Sequence, residues 1–174
     1  GNLGKSFTTN RAIAGELKRQ LPVTLQLAFF TFIAVNVLAI PIGILAAVKH
    51  DSLLDFVLRG WAIIGLAMPT FFVALLFILG LSVYLGWMPP VGFTSLWQNP
   101  VISLQQLVIP ALALGFSTNG LMLRMTRTQL LEVMGEDYVR TARAKGLAEK
   151  VVILRLAVRN ALLPIVTLAG FQIG

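Results

Sequence analysis

Few residues of this 174-residue chain are of the types that carry bond chemistry. There is no cysteine, which excludes thiolate nucleophiles, disulfides and cysteine metal sites. The one histidine, His50, stands beside Asp51 in a charged turn; a lone loop histidine is ordinarily a solvated side chain rather than a base or ligand. Neither a G-x-x-x-x-G-K-[ST] phosphate loop nor an H-E-x-x-H zinc motif occurs. The expectation is a chain with no catalytic residues, no metal site and no cofactor of its own.

What remains is a handful of polar groups inside long apolar runs, chiefly Asn36, Thr70, Ser117, Thr118 and Asn119. Such groups either bond between helices, at about 0.6 kcal/mol each, or line a polar pathway. Asn36 suits the first use. For Ser117–Asn119 both stay open, because three consecutive polar groups cannot all face one neighbour. The five are candidate pathway residues. None of the apolar runs holds an acidic residue, which argues against a proton-driven carrier, where an intramembrane carboxylate or histidine is usual.

The elements that position these groups follow from composition. Hydrophobic residues make up 57% and charged residues 12%, against about 25% charged in a soluble domain. Mean hydropathy is +0.84. The net charge of +7 would suggest nucleic acid in a soluble protein, but here the charges are excluded from two long runs. Leu21–Val48 has none over 28 residues, and Gly60–Leu123 has none over 64. A bilayer crossing needs about 20 apolar residues. Spans are therefore expected at Leu21–Val48, Gly60–Gly86 and Val101–Leu123, with Asn160–Gly174 as the start of a fourth. Gly1–Gln20 reads as an external segment with a short helix at Arg11–Gln20. Pro22 is expected in the first turn of the first span, and Pro41 is expected to kink its far end. Lys49–Arg59 reads as a charged turn. Trp87–Pro100, with Trp87 and Trp97, reads as an interfacial connector. Ten Lys and Arg lie on the side of the 49–59 turn and the 124–159 segment, and four on the other, which places the larger basic loop in the cytoplasm.

That loop is patterned. Glu136 and Asp137 open a helix, and Arg143 and Lys145 close it, each matching the helix dipole. Glu136 and Arg140 are spaced as an i, i+4 pair. Gly146 stands where a left-handed cap would stop the helix. Tyr138, Ala142 and the Lys145–Gly146 turn share a face whose small residues would allow close approach to another protein. A basic helix lying on anionic lipid fits the same pattern.

The segment YVRTARAKGL followed by RNALLP resembles the cytoplasmic EAA loop of binding-protein-dependent ABC importer permeases, in particular the dipeptide/oligopeptide/nickel branch. GNLGKSF and LPVTLQLA near the start resemble the first of that family's two permease subunits. The general motif is E-A-A-x3-G-x9-I-x-L-P. Here Arg140, Thr141 and Ala142 hold the E-A-A positions, and fourteen residues separate Gly146 from Ala161. The peptide branch is similar in both respects.

The resemblance implies an all-α polytopic membrane protein, a partial type I ABC importer transmembrane domain with about three full spans and the start of a fourth. The expected division is an extracytoplasmic segment at residues 1–20 and the transmembrane domain at 21–174, whose coupling loop is 124–160. It implies an inner-membrane permease for peptides or a related small solute such as nickel, glutathione or an opine. It further implies a homologous second permease subunit, two ATPase subunits that hydrolyse the ATP, and an extracytoplasmic solute-binding protein. Glu136, Asp137, Tyr138, Arg140, Thr141, Ala142, Arg143, Lys145 and Gly146 would contact the ATPase. It also implies that the first helix and everything after the start of the fifth are missing. The alternatives are a channel or secondary carrier whose basic loop only sets topology, and a structural or lipid-binding membrane subunit.

Overall fold

The structure is a computed structural model that describes residues 3–7 and 12–172. Its elements are helical: α1 (Ile13–Val48), α2 (Leu53–Ala67), α3 (Thr70–Leu85), α4 (Pro100–Met134), α5 (Asp137–Ala144), α6 (Glu149–Val151), a π-helical segment (Val152–Ala157) and α7 (Val158–Phe171). Helix α6, the π segment and α7 form one continuous rod, Glu149–Phe171. Among the described residues, three helices are long and apolar enough to cross a membrane, α1, α4 and the Glu149–Phe171 rod, with the bent pair α2 and α3 able to make a fourth crossing together. The chain is thus all-α and multi-pass, as expected.

Helix ends account for most boundaries. Ser52 caps α2 by accepting a hydrogen bond from the Asp55 amide at 3.3 Å, while Asp55 Oδ2 accepts from the Asp51 amide at 3.1 Å. The two side chains thereby satisfy amides that the first turn cannot. Asn99 caps α4 by accepting from the Ile102 amide at 3.2 Å, with Pro100 at the first helical position. Helix α3 stops at Gly86 in the left-handed region (φ 61°).

Five boundaries differ from expectation. Helix α1 starts at Ile13 and runs 36 residues without a break, because Glu16–Gln20 are good helix formers and continue it upstream. The expected short helix and first span are therefore one element of about 54 Å, crossing the boundary expected at residue 20. Pro22 lies in its interior rather than its first turn. Arg11 lies outside the described residues. The charged turn is only residues 49–52, so Asp55 and Arg59 are on α2. The expected Gly60–Gly86 span is two helices, α2 and α3, bent by 111°. Met68 is extended (ψ 131°), since the ring of Pro69 disfavours helical geometry in the residue before it. Pro110 is absorbed within α4. The last helix begins at Glu149 rather than Asn160, which makes it 23 residues long, a full span by length. The basic segment is correspondingly shorter as a loop. Arg124 and Arg127 belong to α4, and Lys150, Arg155 and Arg159 to the rod.

Helix α4 is the central element and packs against α1, α2, α3 and α7. The shared core is rich in small side chains, with Ala39, Ala47, Ala62, Ala157, Ala161 and Ala169 around Met122, Leu123 and Leu130. Without a hydrophobic drive between helices in lipid, close backbone approach supplies the van der Waals packing. At Gly43 of α1 a Cβ would fall 2.7 Å from Thr126 Cβ of α4, so this crossing requires glycine. The opposite faces are bare and apolar, including Leu25, Phe29, Phe71 and Leu79, as a lipid-facing surface must be.

Candidate functional site

The loop between α4 and the Glu149–Phe171 rod holds the residues expected to carry the function. Glu136 is extended and precedes the first turn of α5, with Asp137 in that turn and Arg143 in the last. Thr141 Oγ1 donates to the Asp137 carbonyl at 2.8 Å. The helix ends where Gly146 takes φ +80°. There the Gly146 amide reaches the Arg143 carbonyl at 2.9 Å and the Leu147 amide reaches that of Ala142 at 3.3 Å. Nothing lies within 4 Å of where a Gly146 Cβ would stand, so within this chain the glycine serves the left-handed turn and not a close contact.

The faces of α5 sort differently from the spacing argument. Val139 and Ala142 are buried against Val152 and Leu156, so the smallness of Ala142 is used inside the chain. The outward face is Asp137, Arg140, Thr141 and Ala144, all exposed. Ala144 is the small residue that a partner would meet there. Arg140 pairs with Asp137 at 3.5 Å, both highly exposed, rather than with Glu136. Arg143 turns back to Glu149 in two hydrogen bonds of 3.1 and 2.8 Å. That bonding holds the Arg143 guanidinium above its ordinary value. Tyr138 Oη accepts from Asn160 Nδ2 at 2.9 Å. Glu149 and Asn160 escaped sequence reasoning. Their partners lie 6 and 22 residues away across a turn, a separation that carries no periodic signal.

The candidate pathway residues do not converge. Asn119 lines a cavity of about 290 Å³ bounded by α1, α2, α3 and α4, otherwise apolar, with Trp61, Phe77 and Phe116 in its wall. Thr118 lines a different cavity of about 200 Å³ with Thr31 and Gln172, and its hydroxyl donates to the Leu114 carbonyl at 3.1 Å. Among the described residues, Ser117 Oγ and Asn119 Oδ1 are buried without a partner. Asn36 bonds within its own helix, donating to the Phe32 carbonyl at 2.8 Å, and among the described residues no bond joins it to a second helix. Thr70 is the half-buried first residue of α3 and lines neither cavity.

A buried ion pair lies near the loop end of the bundle. Asp55, fully buried at the start of α2, accepts from Arg127 Nε and Nη2 of α4, both at 2.8 Å. Arg59 approaches the same carboxylate at 3.4 Å. No group of three or more potential metal ligands occurs among the described residues. The arrangement offers a braced, solvent-facing helix at the end of a helical bundle and two half-open pockets between helices, with no assembled acid, base and nucleophile among the described residues.

Residues 39–174 match the family described as "Binding-protein-dependent transport system inner membrane component". Over 170 residues the chain is 37% identical to a protein named as a peptide transport system permease of Brucella suis biovar 1, covering 98% of this chain and 54% of that one. It is 37% identical over its whole length to the glutathione transport system permease protein GsiC of Escherichia coli O6:H1, covering 54% of it. The dipeptide transport system permease protein DppB of Escherichia coli K12 is 36% identical across all of this chain, with 58% of its own length covered. The chain thus spans a little over half the length of these relatives.

Proposed function

This chain belongs to the binding-protein-dependent transport system inner membrane components, and from that premise we propose that it is part of the permease subunit of an ATP-driven importer for peptides or a related small solute. It is a multi-pass protein of the inner membrane. Nickel, glutathione and opines are the other solutes of this class. The relatives named for peptide, dipeptide and glutathione transport support the solute class. The partners in this reading are a homologous second permease, two ATPase subunits and an extracytoplasmic solute-binding protein. The loop between α4 and α6 faces the cytoplasm.

The observation that carries the reading is α5 itself. It is a short helix at a junction between spans, with one side buried on its own chain and Asp137, Arg140, Thr141 and Ala144 exposed on the other. A rigid projection of this kind can seat in a groove of an ATPase and take up its motion. Closure of the ATPases on ATP would push α5, and the spans would reorient around the solute, in the manner of rigid-body alternating access. No bond is made or broken in this subunit.

The test uses the assembled full-length complex. Thr141→Trp puts bulk on the outward face of α5 without touching the bundle. The expected result is normal membrane insertion with loss of ATPase co-purification. An ATPase retained at the wild-type level would overturn the docking role of α5.

A further inference from the structure

Helix α5 is fastened to the helix that follows it at three levels. At its C-terminal end is the two-pronged Arg143–Glu149 pair. Midway, Val139 and Ala142 bury against Val152 and Leu156. At its N-terminal end, Asn160 Nδ2 reaches both Tyr138 Oη at 2.9 Å and the Leu156 carbonyl at 3.0 Å. The N-terminal end of α5 is therefore held near residue 160 and its C-terminal end near residue 149. The two helices lie as an antiparallel hairpin closed by the left-handed turn at Gly146.

The other junction is built differently. Only Gly135 and Glu136 separate α4 from α5. The contacts there are backbone turns, from the Gly135 amide to the Leu131 and Glu132 carbonyls and from the Glu136 amide to the Val133 carbonyl. No side-chain hydrogen bond or ion pair joins α4 to α5 among the described residues. One junction is braced and the other can pivot.

Resting on the reading of α5 as the ATPase-facing helix, we infer that α5 and Glu149–Asn160 move as one lever about Gly135–Glu136, with Glu149 and Asn160 as the positioning residues that hold it closed. A push on α5 then passes into α7 and reaches α4 only through the packed core. The π-helical segment Val152–Ala157 lies inside the lever and backs onto Val139, and such wide turns recur at functional positions. The Arg143–Glu149 pair is partly exposed, so it holds little alone; the hairpin depends on its three contacts acting together.

Paired spin labels in the full-length, assembled complex measure this directly. Leu147→Cys with Leu163→Cys reports α5 against α7, and Leu147→Cys with Leu121→Cys reports α5 against α4; the Leu147 amide bonds the Ala142 carbonyl, so this position follows the end of α5 and is not one of the outward residues Asp137, Arg140, Thr141 and Ala144. Between ADP-bound and ATP-bound states the first distance is expected to hold constant, and the second to change by about 2 Å or more. Adding Glu149→Gln and Asn160→Ala is expected to broaden the first distribution and make it nucleotide-dependent, with the ATPase still bound. A first distance that changes in the otherwise wild-type chain as much as the second overturns the lever, and so does a brace variant whose first distance stays fixed. If neither distance changes, α5 is not driven by the ATPase, and the proposed function fails along with the lever.

Discussion

Arg127 grips the carboxylate of Asp55 with two parallel hydrogen bonds of 2.8 Å across 72 residues of sequence. Asp55 is wholly buried, and Arg127 is partly buried. The pair joins the first turn of α2 to α4 two turns before that helix ends. It thereby fixes the α1–α2 corner to the helix that leads into α5. The same carboxylate also accepts from the Asp51 amide, so one side chain orders the turn and anchors the crossing.

Removing one partner should strand a buried charge. Asp55→Asn is expected to destabilise the subunit by about 3–5 kcal/mol. Thermal unfolding in detergent measures the loss, and Arg127→Lys should be intermediate because it keeps the charge but not the two-pronged geometry. Replacing both residues by Leu and Met should recover much of the loss. A single Asp55→Asn variant with wild-type stability would show that water reaches the site.

The α1–α4 crossing makes a second quantitative demand. Gly43→Ala would place a methyl 2.7 Å from Thr126 Cβ, and overpacking of this kind costs about 1–3 kcal/mol. Gly60→Ala, where no atom lies within 4 Å, is the matched control and should be neutral or slightly stabilising, as Ala outranks Gly in a helix. Equal melting temperatures for the two variants would mean the helices can part to admit the methyl.

The orientation is testable by single cysteines on a chain segment that has none of its own. His50→Cys and Ala148→Cys should react with an impermeant maleimide only from the cytoplasmic side, and Ser95→Cys only from outside. The basis is the ten-to-four distribution of basic residues. Labelling of Ser95→Cys and Ala148→Cys from the same side would break the arrangement of spans.

What the sequence made legible was whatever rests on local pattern. Apolar length located α1 and α4, and the acid-to-base gradient with Gly146 located α5 to within a residue. The bend at Met68–Pro69 was written in the proline, but a 64-residue uncharged stretch hid it. The helical extensions at both ends of the spans were missed because charge marks where lipid ends, not where a helix does. Arg124 and Arg127 continue α4 out of the apolar zone. The Asp55–Arg127 pair, the Arg143–Glu149 brace and the Tyr138–Asn160 contact were invisible for one reason. Each joins residues that meet only after the chain has turned, and neither partner's neighbours announce the other.

The loop between α4 and α6 separates two physical pictures most sharply, through Ala142 and Gly146. Ala142→Leu forces three extra carbons against Val152 and Leu156, which should pry α5 from its brace at about 1–3 kcal/mol. Gly146→Val meets no neighbour, yet it puts a β-branched residue at φ +80°, where such residues are strongly disfavoured. Both changes should leave the spans inserted, since neither residue lies in a helix that crosses the membrane. Both should lower ATPase co-purification and ATP hydrolysis stimulated by the solute-loaded binding protein, by about tenfold for a 1.4 kcal/mol change in docking. If α5 instead lay on anionic lipid, charge loss at Arg140, Arg143 or Lys145 would be the damaging change, and Ala142, buried against Val152 and Leu156, would contribute nothing to the lipid contact. The order of effects therefore decides the matter. Under docking, the two steric variants fall below Arg140→Gln and Lys145→Gln in ATPase retention. Under lipid binding, the charge variants lose loop–lipid contact first and the steric variants keep the ATPase.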